Sequence, residues 1–120
     1  MKKRSPTALT LELYRSSGWE CDISEYWNAF ARKRKDLFGF IDVVAVTHGT
    51  IVGIQTTTYS NRNARKNKIL TECNVAAYRW LQAGGEIHIV SWKQLKEGRK
   101  TIYAADVMQI TEADFAEAWA

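Results

Sequence analysis

No apolar run in the 120-residue chain approaches the roughly 20 residues that a membrane-spanning helix needs. The basic start, Met1-Lys2-Lys3-Arg4, is followed by no apolar signal-peptide core. A soluble protein of the cytoplasm is therefore expected, with no membrane partner. Cysteine is scarce: Cys21 and Cys73 lie far apart without metal-type spacing and are expected as two packed thiols in a reducing compartment. There is no Gly-rich phosphate loop, no paired Cys or His zinc pattern, and no serine or cysteine in the setting of an activated nucleophile. Internal repeats and low-complexity linkers are also missing. What is present is an apolar content of 46% with five tryptophans, which fits one compact domain over residues 1–120. Lys and Arg outnumber Asp and Glu by 17 to 13, giving a net charge of +4 that favours an anionic partner. The distribution of that charge carries more information than its sum.

Residues 36–58, DLFGFIDVVAVTHGTIVGIQTTT, organise the rest. Residues 40–46 and 51–57 are near-continuous apolar and β-branched runs, the pattern of strands buried on both faces. A two-residue loop at His48-Gly49 would pair Thr47 with Thr50, and counting outward places Asp42 opposite Gln55. Opposed residues of an antiparallel pair have Cβ atoms about 5 Å apart. A carboxylate and an amide would thus share one face of an apolar sheet, a costly arrangement unless something binds there.

Around this hairpin the punctuation is clear in most places. Ser5 as N-cap, Pro6 in the first turn and Gly18 as stop predict a helix over 6–17. On it, Glu12 falls at the edge of the Leu9/Leu13 stripe, where it could reach the sheet or remain a solvated surface glutamate. Residues 19–23 read as a short strand and 26–30 as a short helix or irregular turn. Arg32, Lys33, Arg34 and Lys35 then form a basic run, either a solvated face or a phosphate contact. A long helix is predicted over 62–83, stopped by Gly84-Gly85, with Ile69, Cys73, Ala76 and Trp80 facing the sheet. Its first turns carry Arg62, Arg65, Lys66 and Lys68, against the helix dipole, as though an anion sat there. Residues 86–92 read as a strand parallel to the Gln55 strand after a right-handed crossover. His88 is expected as a satisfied sheet histidine. A polar loop over 93–100, a strand within 101–110 and a terminal helix capped by Thr111 with Asp114 complete the chain.

Asp42, Gln55 and the basic residues near them are oxygen ligands and anion contacts, suited to a hard divalent cation and a phosphate. In this order of elements the chain resembles the PD-(D/E)XK nuclease superfamily, with its Holliday junction resolvases and VRR-NUC domains. DLFGFIDVVAV, GTIVGIQTTT and GGEIHIVSWKQ are similar to segments of its small phage and prophage members, and the resemblance covers about residues 6–92. It implies an α/β fold: a mixed central sheet flanked by helices, with a restriction-endonuclease-like α-β-β-β-α-β core. It implies a metal-dependent DNA endonuclease, in a bacterial or phage-infected host, with branched or structured DNA as a candidate substrate. Carried over by position, Glu12, Asp42, Gln55 and the Thr56 backbone carbonyl hold Mg²⁺ or Mn²⁺. Gln55 stands where the family has an acid and Thr57 where it has lysine. Lys66 or Lys68 could supply the missing ammonium from the next helix, with Arg65 only stabilising charge. Arg32, Lys33, Arg34, Lys35, Arg62, Arg65 and Lys66 would contact DNA. Many resolvases of this fold are dimers, so a homodimer is also expected. The two departures keep open a catalytically inactive nucleic-acid-binding module, and a purely structural domain is the third reading.

Overall fold

The computed structural model describes residues 4–119; Met1, Lys2 and Lys3 of the basic start, and Ala120, lie outside the described residues. Helix α1, Pro6–Ser16, begins where the Oγ of Ser5 accepts the N–H of Ala8 at 3.1 Å. Pro6 occupies the first turn, where its missing N–H costs nothing. Strand β1, Glu20–Ile23, follows, and a separate hairpin is built by β2, Tyr26–Asn28, and β3, Lys33–Lys35. Strands β4, Val43–Thr47, and β5, Thr50–Thr58, form the central hairpin with Thr47 opposite Thr50, as the His48-Gly49 loop predicts. A 3₁₀ turn, Tyr59–Asn61, leads into α2, Arg62–Thr71, and α3, Asn74–Gln82. The chain closes with β6, Glu86–Glu97, β7, Lys100–Ile110, and α4, Glu112–Trp119.

The result is a mixed α/β domain around a five-stranded sheet of order β1-β4-β5-β6-β7. Only β5 and β6 run parallel, joined by the expected helical crossover. Six consecutive residues of β5, Val52 to Thr57, are buried, so both faces of the strand are covered. Val52 and Ile54 pack with Val43, Ala45, Val90 and Tyr14 beneath α1. On the other face Ile41, Ile87 and Ile89 pack with Ile69 and Leu70 of α2, Ala77 of α3 and Phe115 of α4. Each fully buried side chain of this size contributes about 2 kcal/mol through area removed from water. Gly53 belongs to this second face: a Cβ there would stand 2.7 Å from Ile41 Cδ1 and 3.3 Å from Trp80 Cε2. His88 is satisfied within the sheet, with Nδ1 2.7 Å from the Tyr14 hydroxyl and Nε2 3.1 Å from Glu86 Oε1. Both cysteines are free thiols.

Four expectations are corrected. Residues 26–30 are not helical: Tyr26 and Trp27 extend into β2, and the Asn28 side chain accepts the Ala31 N–H at 3.0 Å to close the turn. Strand β4 starts at Val43 rather than at residue 40, because residues 37–41 curl into a tight loop closed by a Leu37↔Ile41 bridge. Phe38 and Gly39 both take positive φ in that loop, 55° and 84°. The long helix over 62–83 is two helices: Thr71 Oγ1 donates to the Asn67 carbonyl at 2.6 Å, and Cys73 N–H reaches back five residues to Lys68 O. Such back-bonding bends and opens a helix. Finally, 93–100 is not a loop; β6 and β7 continue as an exposed ribbon turned by Gly98-Arg99, with Glu97 opposite Lys100.

Among the described residues, no helix is long and apolar enough to cross a membrane.

Candidate functional site

Strand β4 ends its ladder at Val43↔Ile54, and one step further Asp42 donates its N–H to the Ile54 carbonyl at 2.8 Å. The predicted register is therefore kept, and it delivers Asp42 beside Gln55. The Oδ2 of Asp42 accepts Gln55 Nε2 at 2.7 Å, the Thr56 backbone N–H at 2.8 Å and the Thr56 hydroxyl at 3.3 Å. Both side chains are buried, Asp42 at 8% exposure and Gln55 at 2%. The N–H and C=O of one residue in an extended strand face the same neighbour. Thr56 is beyond the last β4 pair, so its carbonyl faces the same gap as its N–H.

Two further carboxylates reach this point. Asp36 and Asp42 flank the Leu37↔Ile41 bridge, and the loop folds one back toward the other. Ser24 docks on the same corner: its N–H donates to Asp42 O at 2.8 Å and its hydroxyl to Ile41 O at 2.8 Å. Glu25 follows directly. One carboxylate oxygen each from Glu25, Asp36 and Asp42 lie within 4.8 Å of one another. Burial, then the neighbouring Asp36 carboxylate, push Asp42 up to about 7, against the Thr56 and Gln55 hydrogen bonds that pull it down. The group thus sits near the balance between its protonated and its charged form.

The orphan in this constellation is Oε1 of Gln55. It is buried and without a hydrogen-bond partner among the described residues, while Nε2 of the same amide points at Asp42. An unpaired buried amide oxygen costs about 1–3 kcal/mol. Turning the amide over would put Oε1 beside Asp42 Oδ2, where two oxygens could share one cation, in exchange for the Nε2 hydrogen bond. The donor set is all oxygen, which selects Mg²⁺, Mn²⁺ or Ca²⁺ over softer metals. On these observations the residues fit a hard divalent cation.

A cleft of about 370 Å³ opens over Asp42, lined by Pro6, Thr7, Asp36, Gln55, Asn61 and Arg65 among others. The first turn of α1 and the first turn of α2 both face it, and neither carries an acidic residue. Thr7 Oγ1 lies 3.0 Å from Thr56 Oγ1 and ties α1 to the site. Two positive dipole ends and the Arg65 guanidinium therefore line an opening whose floor is carboxylate, the polarity needed to hold an anion against a cation.

The other predicted site residues are dispersed. Glu12 is not brought to Asp42: it is exposed, ion-paired with Arg4, and lines a separate cleft with Trp92 and Tyr103. The cleft over Asp42 lies beside the start of α1, well before Glu12. Thr57 is 5% exposed and paired in register with Ser91, so no ammonium replaces it in place. Lys66 is turned to Asp114 at 3.4 Å. Arg62 stacks 3.7 Å over the Tyr59 ring. Lys68 and the run Lys33, Arg34, Lys35 border a neighbouring cavity, and Arg32 occupies the β2–β3 turn with φ 53°. Asp36 and Glu25 were missed from the sequence. Asp36 had a signal in Phe38-Gly39, a turn that folds residue 36 back to residue 42; Glu25 had none, since its place depends on the Ser24 contacts. No protein-family model, curated protein or solved structure matches the chain, so the functional reading stands on this geometry.

Proposed function

We propose that the chain is a metal-dependent DNA endonuclease that hydrolyses phosphodiester bonds, built on a restriction-endonuclease-like core. The observation that carries this is the three-carboxylate corner at Asp42, with the buried Gln55 amide against it. The sequence of α1, β1, β4, β5, helical crossover and parallel β6 supports the fold reading, with the β2–β3 hairpin as an insertion. Asp42, Asp36 and Glu25, with Gln55 Oε1 and the Thr56 carbonyl, would hold Mg²⁺ or Mn²⁺. When bound, such a cation lowers the pKa of water and offsets charge on a phosphate. Arg65 and the positive dipole ends of α1 and α2 stabilise the negative charge of the phosphodiester. Thr7 and Thr56 fix the α1 end of the cleft, and Asp42, poised near neutral pH, accepts a proton when the cation is away.

A second reading, a nucleic-acid-binding module without catalysis, is favoured by a specific observation. The family's lysine position is a buried threonine, and Lys66 is engaged with Asp114, leaving Arg65 as the cation of the cleft. Arginine does not deprotonate to act as a base. Incubation of plasmid and branched DNA with Mn²⁺ separates the two. The nuclease reading expects cleavage that Asp42→Ala reduces by at least about a hundredfold. Cleavage unchanged in that variant ends the reading, and salt-sensitive binding with no cleavage under either metal supports the second.

A further inference from the structure

The β2–β3 hairpin has no partner in the sheet and stands apart as a small two-stranded arm. Its turn presents Phe30 wholly to solvent, at 102% exposure, where glycine, asparagine or aspartate would ordinarily serve. Trp27 and Tyr26, on the rising strand, are 62% and 48% exposed. The returning strand is Lys33-Arg34-Lys35, with Arg32 in the turn, and all three of its residues are exposed. Isolated exposed apolar residues need no explanation, but aromatic rings interleaved with cations on one arm form the combination that binds bases and phosphates together.

The arm is anchored to the candidate cation site. Arg34 Nη1 lies 3.5 Å from Glu25 Oε1. A cavity of about 880 Å³ runs beneath the hairpin, lined by Tyr26, Lys33, Lys35, Phe38 and Lys68, and it reaches Asp36. Asp36 also lines the cleft over Asp42. A backbone held on Lys33 and Lys35 is thereby led to the carboxylate corner, whereas a membrane surface or a protein partner at the tip would have no use for that continuity.

We propose that the β2–β3 hairpin is a base-capturing arm: Phe30 stacks on an unpaired or unstacked base of DNA, Lys33 and Lys35 hold the adjoining phosphates, and the displaced base enters the cavity walled by Tyr26 and Phe38. The inference rests on the nucleic-acid reading above and names its substrate class as DNA with unpaired or openable bases, such as gaps, forks and junctions. Insertion of apolar side chains between bases is a known way to exploit such sites, because a base already unstacked costs less to capture.

The test is binding rather than cleavage, in EDTA, so that it does not depend on the metal site. Full-length protein is titrated into fully paired duplex and into the same duplex with a short gap carrying 2-aminopurine. Wild type is expected to prefer the gapped DNA and to change 2-aminopurine fluorescence. Phe30→Ala, at a position with no packing to lose, is expected to weaken gapped binding about tenfold, the loss of one base–aromatic stack, with duplex binding within about twofold. Phe30→Trp restores both affinity and the fluorescence change, while Lys33→Glu with Lys35→Glu weakens both DNAs. Equal wild-type affinity for the two DNAs, or a preference that survives Phe30→Ala, overturns the proposal and leaves the nuclease reading standing. Phe30-dependent binding to phosphatidylserine vesicles without a preference for gapped DNA also overturns it. Failure of wild type to bind either DNA removes the nucleic-acid reading itself.

Discussion

Asp42→Asn is expected to make the metal-free protein more stable above neutral pH. The carboxylate is raised from 3.8 to about 7, first by burial and then by Asp36. A raised folded value means that the folded chain holds a proton that the unfolded chain releases, so the contribution to stability is complete below about pH 4 and is lost as pH rises through about 7. The interval between the two values corresponds to a loss on the order of 4 kcal/mol. Asparagine reproduces the protonated acid. Its oxygen can accept Gln55 Nε2 and Thr56 N–H, and its NH₂ faces Asp36 as a donor.

The assay is urea unfolding of both proteins across this pH range, in EDTA and again with Mn²⁺. Taking the difference between variant and wild type removes the titrating groups remote from Asp42 and leaves the coupled Asp36–Asp42 pair. In EDTA the difference should grow between about pH 4 and 7 and level off at a few kcal/mol, equivalent to roughly 10 °C or more in Tm for a domain of this size. With Mn²⁺ at about 100 times its Kd, wild type should gain about 2.7 kcal/mol by mass action, and the variant should gain little. Parallel pH curves for the two proteins would refute the reasoning, as would a variant less stable than wild type above pH 7 without metal.

Two other substitutions probe the same geometry. Gln55→Glu places a fourth carboxylate at the corner, where affinity for a hard cation follows ligand charge; calorimetry should show Mn²⁺ binding about tenfold tighter, together with lower stability in EDTA at pH 8. Unchanged affinity would mean that Gln55 does not face the ion. Gly53→Ala puts a Cβ 2.7 Å from Ile41 Cδ1, directly behind Asp42, and is expected to cost about 1–3 kcal/mol in urea unfolding and to lower Mn²⁺ affinity through the displaced Ile41–Asp42 segment.

How much of this was legible in the sequence depends on whether local rules or tertiary placement decided the outcome. The Asp42/Gln55 register was legible because a two-residue loop and period-two burial leave one pairing that hides both apolar runs. Asp36 was within reach for the same reason, since Phe38-Gly39 closes a loop by local rules and its flanking residues must meet. Glu12 was not: helix periodicity says which stripe is apolar, and it is silent on which end of α1 crosses the strand ends. The crossing brings Pro6 and Thr7 to the site and leaves Glu12 with Arg4. The basic cluster of α2 shows the same limit. Helical spacing alone puts Arg65 and Lys66 beside Arg62, and Lys68 beside Arg65, so it cannot separate the four; their tertiary partners do. Arg62 goes to Tyr59, Lys66 to Asp114, Lys68 to the cavity beneath the hairpin, and Arg65 alone of the four to the cleft over Asp42. The chemistry follows from that dispersion. A cleft served by a guanidinium can hold and neutralise a phosphate and cannot take a proton from water. In the proposed nuclease Arg65 is therefore a charge stabiliser, and Asp42 serves as a ligand rather than as a base; its titration near 7 belongs to the metal-free protein.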